Sequence, residues 1–196
     1  MSALHPTSPP PERLPRIATE NMTEAQKKVA VEIAAGPRGE LRGPFIALLR
    51  SPELASAVQK VGEYLRFRCP LERRVAEMAT LMAARHWTQQ YEWNSHHAHA
   101  IKAGLDPAIA QAIADGRRPP GMAEDEELVY ELITEALHNQ SVSDATYARA
   151  LGKFGEQGVV DLVAITGYYG MLAIVLNLAR IALPGGKPPP LPYFPR

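Results

Sequence analysis

Residues 86–104 read HWTQQYEWNSHHAHAIKAG, and the first 14 of them hold four of the protein's six histidines and both of its tryptophans. On a helix, Glu92 and His96 stand four apart and share a face. Gln89 lies one turn before them, and His99 or Ala100 one turn after. A carboxylate beside an imidazole favours the charged ring and holds a proton ready for transfer. The same spacing also suits a solvated surface pair worth about 0.3 kcal/mol. Trp87, Tyr91 and Trp93 equally suit a core or a subunit interface. The residues alone leave these readings open.

Outward from this stretch the pattern stays helical. Thr23 followed by Gln26 has the capping-box form and opens a helix to about Ala35, which Gly36-Pro37 stops. Residues 40–49 read as a loop leading into a short apolar turn. Ser51-Pro52 starts a helix to about Phe67, and Cys69-Pro70 breaks it. Leu71 to Ala84 carries Leu71, Val75, Met78, Ala79 and Met82 at spacings of three and four. A helix from about Thr88 to Ala103 ends at Gly104. Asp106-Pro107 caps a short helix to Ala114. Glu124 to Asn139 follows, its acidic first turn suited to the helix dipole and to solvent. Ser143 to Phe154 and Val159 to Leu183 complete the set. No strand alternation is convincing, so the expected class is all-α.

Composition bounds the rest. The 196 residues are 46% apolar and 21% charged, ordinary for one globular domain. Lys and Arg total 21, as do Asp and Glu. A zero net charge argues against a protein built for nucleic acid or for acidic membranes. One cysteine, Cys69, excludes a disulfide framework within the chain and fits a reducing compartment; it reads as a small buried residue. The start, MSALHPTSPPPERLPR, lacks the basic and apolar regions of a secretory signal. A cytoplasmic protein is the expectation. Leu162 to Ala179 carries no charge and raises the membrane question. Its glycines, Thr166, Asn177 and tyrosine pair favour a buried core or interface helix. Proline marks both ends, with five in the first 16 residues and six in the last 13. Residues 1–20 and 184–196 are therefore expected as extended arms, either disordered or laid over a neighbouring subunit. Tyr193 and Phe194 favour docking. Residues 21–183 form the expected single domain.

The run Glu92-x3-His96-x3-Ala100-x3-Gly104 resembles the carboxymuconolactone decarboxylase family, which includes the alkylhydroperoxidase D proteins. That family's peroxidase branch carries Cys-x2-Cys-x3-His, with a glutamate twelve residues before the first cysteine. Laid on this chain, the histidine is His96, the upstream glutamate is Glu77, and the cysteine positions hold Gln89 and Glu92. The match is close from about Glu72 to Gly116. Later stretches, residues 142–146 and 154–162, look like a longer branch of the same family. The resemblance implies an AhpD-like helical bundle, assembled as trimers often paired into hexamers. Without the two thiols, peroxide attack and sulfenic-acid resolution have no residues to perform them.

The cysteine-free decarboxylase branch implies a lyase of aromatic-compound catabolism acting on a small carboxylated lactone, with no cofactor. The implied roles are His96 as proton donor or oxyanion stabiliser, Glu77 as the residue that orients it, and Glu92 as a second acid or base. Glu92 suits a doubly anionic substrate only if protonated. Trp93, Tyr91, His97 and Arg85 are the candidate substrate contacts, with Arg73 an alternative to Arg85. Two other readings compete. Glu92, His96 and His99, joined by Glu77 or His86, offer a metal site, although no metal is the expectation. A non-catalytic oligomer is the other, and a pocket closed by Trp93 and Tyr91 would favour it. His138 reads as a helix-end or surface residue.

Overall fold

The computed structural model describes residues 11–192. They form eight α-helices: α1 (Glu24–Ala35), α2 (Pro44–Leu48), α3 (Pro52–Glu63), α4 (Arg73–His86), α5 (Gln90–Lys102), α6 (Pro107–Ala114), α7 (Glu124–His138) and α8 (Asp144–Ala179). No strand occurs among the described residues. The all-α expectation is met.

The bundle is organised around α4. Every residue from Val75 to Arg85 is buried, and α4 packs against α5, α6, α7 and α8. Ala76, Ala79, Ala83 and Ala84 keep its surface thin, so neighbours approach closely. Two charged residues, Glu77 and Arg85, are sunk in this helix. Arg74 ties α4 to α7 through Asp125 (2.6 Å) and Glu126 (2.5 Å). The acidic start of α7 is thus not simply solvated, because Glu126 is buried and also accepts from the Ala123 N–H.

Several local expectations hold. Thr23 and Gln26 form the reciprocal capping box, and the Asp106 carboxylate accepts from the Ala108 N–H. Other boundaries move for visible reasons. Ser51 makes no side-chain cap, so Pro52 alone marks the start of α3. The last turn before Cys69-Pro70 widens to a π-turn over Tyr64–Arg68, closed by the Cys69 N–H on the Tyr64 carbonyl. The helix expected from Thr88 begins at Gln90, because Thr88 adopts a left-handed conformation at φ 48°. The two expected helices after Ser143 run on as α8, bent where Gly155 takes φ 67°.

By length and apolarity α8 would also cross a membrane, but 56% of its most apolar window is buried within this bundle. It is a core helix here, packed on α2, α4 and α7. The described parts of the arms make contacts with the bundle. They lie on their own chain. The Arg13 N–H donates to the Ala179 carbonyl at 2.8 Å, and Glu12 accepts from the Ala182 N–H. At the other end Leu191 is buried and exchanges two hydrogen bonds with the Gln90 side chain. Tyr193 and Phe194 lie outside the described residues.

Candidate active site

Helices α4 and α5 are joined by a tight connection through Thr88, and this sets Glu77 against His96. The His96 Nδ1 lies 2.7 Å from Glu77 Oε2, and its Nε2 lies 3.5 Å from Glu92 Oε2. The three side chains expose only 2%, 4% and 4% for Glu77, Glu92 and His96. Arg73, one turn before Glu77 on α4, pairs with the other Glu77 oxygen. Tyr169 of α8 stands edge-on over His96, ring centroids 4.7 Å apart.

The two carboxyl groups are driven apart. Burial alone would raise Glu77, but the His96 hydrogen bond and the charges of His96 and Arg73 outweigh it, and Glu77 sits below the ordinary carboxylate range. Glu77 is therefore the ionised acceptor of the His96 Nδ1–H. For Glu92 burial prevails over the attraction of His96, Arg66 and Arg38, and its carboxyl is pushed up. One acid is held charged and the other is biased to keep its proton, on opposite sides of one imidazole.

His96 and Glu92 open onto a cavity of about 240 Å³. Tyr91 and His99 line it, together with Tyr168, Tyr169 and three arginines: Arg38, Arg42 and Arg66. Arg38 stacks over the Phe45 ring at 4.3 Å and donates to the Tyr168 hydroxyl at 3.4 Å. The Nε atoms of Arg38 and Arg66 are buried without a hydrogen-bond acceptor among the described residues. Two glycines make room for this wall. A Cβ on Gly62 would stand 2.0 Å from the Tyr168 hydroxyl. One on Gly43, already at φ +56°, would stand 2.8 Å from the Tyr91 ring.

The structure brings together Glu77, Glu92, His96 and Tyr91. It does not bring in the other candidates. Trp93 is buried away from the cavity, and His97 packs against it, ring centroids 6.0 Å apart. Arg85 lines a different cavity and donates to the Pro192 carbonyl at 2.9 Å. Arg73, its alternative, is committed to Glu77. His86 and His138 meet at that second cavity, 5.5 Å between centroids; His138 is exposed at the end of α7, as expected, and also lines this cavity.

Among the described residues no group of three His, Cys, Asp or Glu side chains converges on a metal point. The residues that sequence reasoning missed are Arg38, Arg42, Arg66 and Tyr168-Tyr169. The tyrosine pair was visible inside the apolar segment, while the arginines sit in loops and a π-turn that no periodicity marks.

Gln89, at the first cysteine position of the resembling family, does architectural work. Its Oε1 accepts from the N–H groups of Tyr91 (2.5 Å) and Glu92 (3.2 Å), and its Nε2 donates to Asn177 Oδ1 at 2.9 Å. Asn177 in turn donates to the Trp87 carbonyl. Cys69, the one thiol in the sequence, lies 3.5 Å from buried Asp161, and burial pushes it up, away from thiolate.

Compared by sequence, the chain matches no family model and no curated protein. Compared by structure, it is similar to a crystal structure of a protein of unknown function from Agrobacterium tumefaciens, described as an AhpD-type antioxidant defence protein. The likeness has a TM-score of 0.62 at 17% identity and covers 70% of this chain and 94% of that one. The architecture that positions Glu77, Glu92 and His96 is thus the all-α, AhpD-like fold.

Proposed function

We propose that this chain is a lyase of the carboxymuconolactone decarboxylase kind, acting on a small carboxylated lactone or a close relative. One observation carries the reading. The buried Glu77–His96 bond opens, on its Nε2 side, onto Glu92 and a cavity walled by Arg38, Arg42 and Arg66. The cavity is not closed by Trp93 and Tyr91, which favours an enzyme over a purely structural assembly.

The reaction makes three demands. The carbon–carboxylate bond must break, its electron pair must pass onto the lactone carbonyl as carbon dioxide leaves, and a proton must reach carbon. The arginines meet the substrate anion, their guanidinium forks matching a carboxylate. His96, held in place by Glu77, presents Nε2 to the cavity as the proton donor and stabilises the developing oxyanion. Burial biases Glu92 toward its protonated form, the form that reloads His96 after transfer. That bias also removes the charge that would repel an anionic substrate. No bound cofactor is required by this scheme.

The antioxidant description of the structural neighbour points instead to peroxide reduction. That chemistry needs an attacking thiolate and a resolving thiol, and Cys69 stands alone with its proton favoured. We hold further that the chain is a cytoplasmic homo-oligomer, a trimer or hexamer. The exposed apolar stripe of Val160, Val163, Ile174 and Leu178 on α8 supports the oligomer.

The test is the loss of 4-carboxymuconolactone, followed by absorbance with release of carbon dioxide. Wild type turns it over, and His96→Ala loses at least about a hundredfold in kcat. Turnover by wild type that survives in His96→Ala would remove the site. A folded wild type with no turnover would remove this substrate.

A further inference from the structure

We infer that the second cavity, on the far side of α4, is a binding site for a small carboxylate with an apolar body. It encloses about 340 Å³, within the range of small-molecule sites. Its floor is apolar: Met82, Ile113, Leu137 and the Tyr130 ring. Its polar wall carries Arg117, His86 and His138, with Arg85 behind them holding the Pro192 carbonyl. Among the described residues no aspartate or glutamate lines it.

The histidines end α4 and α7, where a cation offsets the partial negative charge of the last carbonyls. That accounts for basic residues at helix ends. It does not account for a cavity between them with an apolar floor and a threonine, Thr134, beside it. Arg117 spends one N–H on Asp115 at 2.7 Å, and its guanidinium carries five in all. A compact carboxylate meets Arg117 and the imidazoles, while its hydrocarbon covers Met82 and Leu137. A bare inorganic anion would leave that floor wet, and a neutral hydrocarbon would leave the wall unanswered.

This site is independent of the proposed decarboxylase chemistry. Benzoate is the probe, titrated into the full-length protein by calorimetry, with benzyl alcohol as its neutral counterpart. Trp87 is a built-in reporter, since its ring meets His86 edge-on at 5.4 Å. Benzoate binds with a dissociation constant on the order of 1 mM or tighter, and shifts the Trp87 indole resonance. Arg117→Glu, at an exposed side chain, weakens binding at least tenfold, and His138→Ala weakens it less. Arg66→Gln, in the first cavity, leaves the benzoate-induced shift of the Trp87 resonance unchanged. Absence of binding overturns the proposal. So does equal affinity for benzyl alcohol, or binding lost in Arg66→Gln but kept in Arg117→Glu.

Discussion

Glu77 and Arg85 sit on the same helix, both buried, eight residues apart, and they serve two different cavities: Glu77 backs His96 at the first, and Arg85 lines the second. Eight residues turn a helix by about 80° net and advance it by about 12 Å. That offset separates a cavity where acids, an imidazole and arginines mix from one where bases meet apolar side chains. In the first, opposite charges hold Glu77 low while burial pushes Glu92 up, so the two carboxyl groups are driven apart, as proton transfer requires. In the second, no carboxyl group among the described residues lines the wall, and the arrangement suits holding rather than reacting. A buried charge gains its meaning from what faces it, not from burial itself.

The largest effect should come from removing the charge at Glu77. Glu77→Gln leaves Arg73 and His96 without their shared anion, and a loss on the order of 3 kcal/mol is expected. Its folded carboxyl is held low, so its contribution is full above the unfolded pKa of about 4.3 and fades as pH falls through the lower folded value. Thermal melts across pH should show the gap between wild type and Glu77→Gln closing on acidification, with benzoate binding at the Arg117 wall unchanged. A gap that stays constant would break the comparison.

Next comes Gly62→Ala. The added methyl meets the Tyr168 hydroxyl and pushes it against Arg38, costing about 2 kcal/mol. Lactone turnover should fall through KM, as the anion wall shifts, while the second cavity keeps its ligand. Glu92→Gln sharpens the contrast between the two acids. Burial raises Glu92, so its favourable contribution is present below the unfolded pKa and lost as pH rises through the folded one. The amide escapes that loss. Its melting temperature should gain on wild type as pH rises, by on the order of 1 kcal/mol, although activity falls. An infrared carbonyl band from a protonated carboxyl, present in wild type and absent in Glu92→Gln, would identify the group directly. The smallest effect is Thr88→Gly, which relieves a left-handed threonine and should stabilise by about 0.5 kcal/mol, read as a small rise in melting temperature.

Much of this molecule was legible in its sequence. Capping residues Thr23 and Asp106 and the three-and-four spacing on α4 specify helices locally, without help from distant chain. The pairing of Glu77 with His96 was reachable only through a resemblance, since nothing in the eighteen intervening residues says that α4 and α5 pack on one another. Arg38, Arg42 and Arg66 were not legible. They come from a loop and a π-turn, where side-chain direction is set by local partners: Phe45 and Tyr168 for Arg38, Glu40 for Arg42 and Phe67 for Arg66. Arg85 misled for the opposite reason. It sits in the right helix near the right histidines, but one net fifth of a turn puts it elsewhere. Proline content in the tail excludes helix without saying what an extended segment leans on, and Gln90 supplies that support at Leu191.

Gln89 has a consequence for anyone wishing to graft redox chemistry onto this scaffold. The two substitutions that would install a thiol pair, Gln89→Cys and Glu92→Cys, are not equivalent edits. A cysteine at 92 empties one side of an imidazole. A cysteine at 89 unlatches the start of α5, forfeiting an N-cap worth about 1 kcal/mol and cutting the thread through Asn177 to Trp87. The start of α5 is latched by an amide, and installing a dithiol would demand a new latch before it could offer a new nucleophile.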